Sequence, residues 1–73
     1  MKVDNLGYFL WNLREKSGLT RKQVVKEIGK SEGTLKNYEM NITEPDASVL
    51  VALLDLYEKR LHIKISMDKV FGR

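Results

Sequence analysis

An all-α fold of four short helices, ending in a strand-like extension, is the class that this 73-residue sequence predicts. Three observations lead there. Apolar residues recur at three- and four-residue steps from Leu6 to Leu56. Asp4, Thr20, Ser31 and Asp46 head the four apolar stripes, where a side-chain oxygen satisfies the first unpaired N–H groups of a helix. Gly18, Gly29 and Asn41 stand at the far ends of the first three, and these residue types tolerate the left-handed conformation that stops a helix.

The first helix is expected to be capped by Asp4, with Val3 and Tyr8 forming a hydrophobic staple across the cap. Leu6, Leu10 and Leu13 supply its buried stripe. Thr20 and Gln23 spell a capping box that opens the second helix, and Val24 and Ile28 form its inner face. Ser31 caps the third helix, residues 31–39, whose inward residues are Leu35 and Tyr38. Pro45 fixes the next turn and Asp46 caps a fourth helix, the most apolar, carrying Val49, Leu50, Leu53, Leu54 and Leu56. After Tyr57 the period changes. Leu61, Ile63, Ile65 and Met67 alternate with His62, Lys64 and Ser66, which predicts a half-buried strand. A fifth helix is the competing reading, because Leu61 and Ile65 also fit a four-residue step.

Composition narrows the function classes. The chain is expected to form one domain, residues 1–58, followed by an extension, residues 59–73. It has no cysteine, so thiolate metal sites and disulfides are excluded, in keeping with a reducing cytoplasm. No apolar run approaches the roughly 20 residues that span a bilayer, and Asp4 and Asn5 interrupt any leader-like start, so no membrane association is expected. The lone histidine, His62, has no cysteine or clustered carboxylate beside it, and the five glycines are scattered rather than gathered into a phosphate loop. No enzyme, metal or cofactor is therefore expected.

Charge is segregated. Between Arg14 and Lys36 there are seven basic residues against three acidic ones; between Asn37 and Glu58 five acidic residues meet no basic one; from Lys59 to Arg73 five basic residues face one acid. Such a distribution suits a polyanion on one face, although clustering on a solvated surface gives the same pattern.

Two short helices meeting at a tight corner near Gly29 form a helix-turn-helix, whose second helix can enter a major groove. The stretch LREKSGLTRKQVVKEIGKSEGTLKNYEMNITEP resembles the helix-turn-helix domain of phage repressors and Cro proteins, the lambda-repressor-like or xenobiotic-response-element type. The resemblance covers about Leu6 to Leu56 and rests on Arg14, Leu19-Thr20, Gly29, Leu35, Glu39 and Pro45 in order. It implies a double-stranded DNA-binding transcriptional regulator, a repressor by type. It also implies a structural ion pair between Arg14 and Glu39 that ties the first helix to the recognition helix.

By the same resemblance, Ser31, Glu32, Gly33, Thr34, Lys36 and Asn37 face DNA, with Asn41 at the helix exit. Asn37 has the paired donor and acceptor that suit adenine, Lys36 reaches a guanine edge or a phosphate, and Glu32 could accept from cytosine. Thr20, Arg21 and Lys22 mark a helix N-terminus that favours a phosphate. Three departures stand out. Val25 replaces a usual alanine, Asn41 a usual glycine, and the loop Ile42-Thr43-Glu44 lacks the expected cations, so fewer phosphate contacts and a shallower salt dependence follow.

Tyr8, Phe9 and Trp11 cannot all share the core face of the first helix with three leucines, and a large apolar patch calls for a cover. One arrangement pairs Leu61, Ile63, Ile65 and Met67 between two copies as an antiparallel ribbon, giving a homodimer. The alternative folds the tail onto its own domain. A protein-interaction module, such as an antitoxin, is the rival to the regulator reading, and the acidic stretch supports it.

Overall fold

The computed structural model describes residues 5–65 of the chain. Its elements are α1 (Leu6–Ser17), α2 (Arg21–Ile28), α3 (Glu32–Glu39) and α4 (Ala47–Leu61), with no strand among the described residues. Three of the four N-caps are the ones the sequence predicts. The Thr20 hydroxyl accepts from the Gln23 N–H while the Gln23 side chain accepts from the Thr20 N–H, a complete capping box. Ser31 accepts from the Thr34 N–H, and Asp46 from the Val49 N–H. The Val49 and Ser48 hydrogen bonds hold the Asp46 carboxyl below its ordinary pKa, as expected for a carboxylate that caps a helix.

The first cap differs from expectation. Asn5, not Asp4, caps α1, in a left-handed conformation with φ 57°, and its Oδ1 accepts from the Tyr8 N–H. Asn5 directly precedes the first core-facing leucine, and asparagine tolerates positive φ better than most residues, so it holds the better position. Asp4 and Val3 lie outside the described residues, and with them the expected staple. Tyr8 is more than half exposed.

α1 and α2 each pack against both α3 and α4. The core between them consists of Leu10, Leu13, Val24, Val25, Leu35, Tyr38, Leu50, Leu53, Leu54 and Tyr57, with Leu6, Phe9, Leu19, Ile28, Val49, Leu56 and Leu61 packed around it. Phe9 is thus a core residue, while its neighbours Tyr8 and Trp11 stack on each other outside, ring centroids 5.7 Å apart. The corner between α2 and α3 turns at Gly29, φ 71°, where the left-handed conformation would strain a residue bearing a Cβ.

The strand expected over 61–67 is not formed by the described residues. α4 continues past Glu58 to Leu61, and His62 ends it in a left-handed conformation, φ 57°. The Glu58 carbonyl accepts from both the His62 and Ile63 N–H groups, and the Glu58 carboxylate accepts from the Ile65 N–H. These local acceptors satisfy the backbone that a strand would have paired elsewhere. The alternation is broken as well: Leu61 and Ile65 pack on the core, whereas Ile63 is exposed. Met67 lies outside the described residues.

Tyr57 is fully buried, and its hydroxyl has no hydrogen-bond partner among the described residues. Burial, reinforced by the nearby Glu39 carboxylate, pushes the phenol well above its ordinary pKa. A buried hydroxyl that gains no partner loses its hydration, at about 1–3 kcal/mol. Tyr57→Phe keeps the ring and removes that cost, so thermal denaturation should show a melting temperature raised by several degrees, on the scale of ~4–8 °C per kcal/mol for a domain this size. A fall would show that the hydroxyl is stabilising.

Candidate nucleic-acid interface

α3 is short and mostly polar, and only Leu35, Tyr38 and Glu39 are buried. Leu35 and Tyr38 anchor one face in the core. The opposite face presents Ser31, Glu32, Gly33 and Lys36 exposed, with Thr34 and Asn37 half-buried beside them. The Ser31 and Thr34 hydroxyls lie 2.9 Å apart and hydrogen-bond to each other, so both are partly committed to the helix start. A methyl added at Gly33 would meet only open space, its nearest neighbour being the Ser31 Oγ at 4.0 Å. No internal packing explains a residue that weakens a helix by about 1 kcal/mol relative to alanine.

The N-terminus of α2 stands beside that face. Thr20, Arg21 and Lys22 line an open groove of about 550 Å³ together with Glu32 from the start of α3 and Arg14, Gly18 and Leu19 from the end of α1 and its exit. The fold therefore brings Glu32, at the start of the 31–37 cluster, beside residues 20–22. Lys22, at the groove, and Lys36, on α3, are exposed cations.

What holds α3 in place is a shared carboxylate. Arg14 meets Glu39 in a forked pair, Nε to Oε2 at 2.7 Å and Nη2 to Oε1 at 3.2 Å, with the two side chains 7% and 1% exposed. The remaining Arg14 Nη1 donates to the Leu19 carbonyl at 3.0 Å and lies 3.3 Å from Glu15. Burial alone would depress the Arg14 pKa, but the hydrogen bond and field of Glu39 outweigh it and hold the guanidinium above its ordinary value. A second arginine joins from α2: Arg21 Nε donates to Glu39 Oε1 at 2.9 Å. Arg21, expected only as a phosphate contact, thus spends one donor on α3, and its side chain is 32% exposed.

Asn41 has the left-handed backbone expected at the exit of α3, φ 60°, and its side chain hydrogen-bonds to the start of α1. Asn41 Oδ1 accepts from the Gly7 N–H at 2.9 Å, and Nδ2 donates to Asn5 Oδ1. Gly7 is the residue that sequence reasoning passed over. A Cβ there would overlap the Glu39 carbonyl oxygen and fall 2.7 Å from that of Tyr38. The sequence signal was a glycine inside the first turn of a helix, where alanine is otherwise preferred.

Among the described residues no cluster of histidine, cysteine or carboxylate groups could hold a metal, and no helix is long and apolar enough to cross a membrane.

Removing one member of a buried ion pair strands the other, at about 3–5 kcal/mol. Arg21 still partners Glu39 when Arg14 is lost, which places the cost of Arg14→Ala at the lower end. Arg21→Ala removes a partly solvated contact and should cost roughly 1 kcal/mol or less. Thermal melts should therefore rank wild type, Arg21→Ala and Arg14→Ala in falling order; equal melting temperatures for the two variants would refute the central role of Arg14.

The model of the helix-turn-helix family matches residues 12–64. The HTH-type transcriptional regulator ImmR of Bacillus subtilis (strain 168) is 30% identical over 66 residues, covering 90% of this chain and 52% of that protein, so the chain spans about half the length of this curated relative. No solved structure gives a match. With the capped α2–Gly29–α3 corner, the Arg14–Glu39 pair and the family match over most of its length, the chain belongs to the helix-turn-helix family of phage repressor and Cro type.

Proposed function

We propose that the chain is a sequence-specific, double-stranded DNA-binding transcriptional regulator, a non-enzymatic repressor working in the cytoplasm, that inserts residues 31–39 into the major groove. The observation that carries this reading is the exposed face of α3, rigidly held at its C-terminal end and flanked by the N-terminus of α2. An eight-residue helix fits the groove, and its polar groups match base edges. Asn37 reads adenine, Lys36 reads guanine or meets a phosphate, and Glu32 favours cytosine. Open space at Gly33 allows backbone to approach the duplex closely. Thr20, Arg21 and Lys22 sit on a phosphate at the α2 N-terminus, where unpaired N–H groups and the helix dipole favour an anion. The Glu39 contact steadies Arg21 while leaving its terminal nitrogens for that phosphate.

A homodimer places two recognition helices on half-sites roughly 34 Å apart. Its interface draws on the extension beyond residue 58, where Ile63 is exposed, and on the outer face of α1, where Tyr8 and Trp11 stack in solvent. That exposed aromatic pair also favours a second reading, a surface for a different protein, with DNA binding weak or absent.

Selection from a random duplex pool tests the proposal. A palindrome with half-sites about 10 base pairs apart is the expected result; no enriched sequence and no gel shift with any duplex at low salt would overturn it. On the selected duplex, Asn37→Ala should relax preference at one base pair by roughly 5- to 150-fold, the value of ~1–3 kcal/mol. Lys22→Ala should instead weaken all duplexes alike and reduce the salt slope by about 1. Light scattering at micromolar concentration should give twice the chain mass.

A further inference from the structure

We infer that Asn41, seated on Asn5 and Gly7, is a positioning residue that sets the angle at which α3 is presented; the inference rests on α3 being the DNA-reading helix. A rod gripped at one point can still swing about it. The Glu39 carboxylate grips α3 at Arg14. A second grip lies at Gly7, seven residues earlier on α1, which is about two turns or ~10 Å along the same face. There the carbonyl oxygens of Tyr38 and Glu39 lie so close to α1 that no Cβ fits, and the Asn41 amide closes the contact. The forked pair at Arg14 limits roll of α3 about its own axis, and a second attachment ~10 Å away along α1 limits its swing.

The hydrogen bonds form a closed set. The Gly7 N–H donates to Asn41 Oδ1, the Asn41 amide donates to Asn5 Oδ1, and the same Asn5 oxygen accepts from the Tyr8 N–H. Asn41 uses both halves of its amide, accepting at Oδ1 and donating at Nδ2, while Asn5 Oδ1 accepts twice. Two of the first N–H groups of α1, which have no partner within the helix, are satisfied in this way. The electrostatics agree in sign. The carbonyl end of α3, bearing partial negative charge, meets the N–H end of α1, bearing partial positive charge. Asn41 also needs positive φ, which glycine would supply as readily, so backbone conformation alone does not call for an amide.

The test compares the full chain with Asn41→Gly, which keeps the left-handed backbone and deletes the side chain, and with Gly7→Ala, which forces α1 and α3 apart. For each, the affinity for the selected duplex is divided by that for a scrambled duplex at low salt. Both variants should lower this ratio by about tenfold, while binding to the scrambled duplex, set by phosphates, stays within about twofold. Asn41→Asp retains the acceptor for Gly7 and should recover part of the loss. Amide NMR spectra provide a readout that needs no DNA: Asn41→Gly should shift resonances at Gly7 and Tyr8 and along Glu32–Glu39, and speed hydrogen exchange at Gly7. If Asn41→Gly leaves the ratio unchanged and its shifts stay within residues adjoining position 41, the inference is overturned. If wild type itself shows no preference between duplexes, the regulator reading fails and the spectra alone decide the joint: shifts along Glu32–Glu39 support it, and their absence refutes it.

Discussion

A single carboxylate, that of Glu39, carries three helices. It stands at the last residue of α3, takes a forked pair from Arg14 of α1 and a third hydrogen bond from Arg21 of α2, and is almost wholly shielded from water. Such an arrangement is costly to assemble, because each ion gives up hydration, and it is tolerable only when every lone pair finds a donor. Here the cost is matched by geometry. Guanidinium and carboxylate are planar and fork-shaped, so the pair fixes orientation as well as distance. Leu35 and Tyr38 bury the inner face of α3, but apolar contacts are non-directional and would leave an eight-residue helix free to roll. The ion triad removes that freedom.

The same logic explains why this small domain places polar groups where leucine would add more burial. The Arg14 guanidinium also accepts the task of closing the turn after α1, donating to the Leu19 carbonyl. At the same end of α1, Ser17 returns its hydroxyl to the Leu13 carbonyl and offers its own carbonyl to Arg60 of α4. The polar contacts lie at helix ends, where backbone groups lack partners, and the apolar contacts lie at helix middles. Tyr57 is the exception, a hydroxyl buried in the field of both Glu39 and Arg14 without a hydrogen bond to either.

Function follows from what this bracing leaves free. With α3 fixed at its C-terminal end, Ser31, Glu32, Gly33 and Lys36 are exposed, and the start of α2 lies beside Glu32. Of the acidic residues in the second half of the chain, Asp55 is exposed on α4 and Glu39 is paired within the core.

How much of this the sequence determined can be read element by element. The caps at Thr20, Ser31 and Asp46, the turns at Gly18 and Gly29, and the leucine stripes are local signals, each acting within four residues, and all are found as read. The choice of Asn5 over Asp4 was also local, since Asn5 directly precedes the first leucine. The alternation after Tyr57 misled because period alone cannot supply a strand with a partner; the Glu58 carbonyl and carboxylate, brought close by the helix, took those N–H groups instead. The partners of Arg21, Gly7 and Asn41 were beyond any local signal, although a glycine in the first turn of a helix marked Gly7 as unusual. Arg21 reaches a carboxylate 18 positions away, and Gly7 meets carbonyls 31 and 32 positions away and the Asn41 side chain 34 positions away. Contacts between helix ends depend on how the helices cross. That crossing is settled only when the whole core closes.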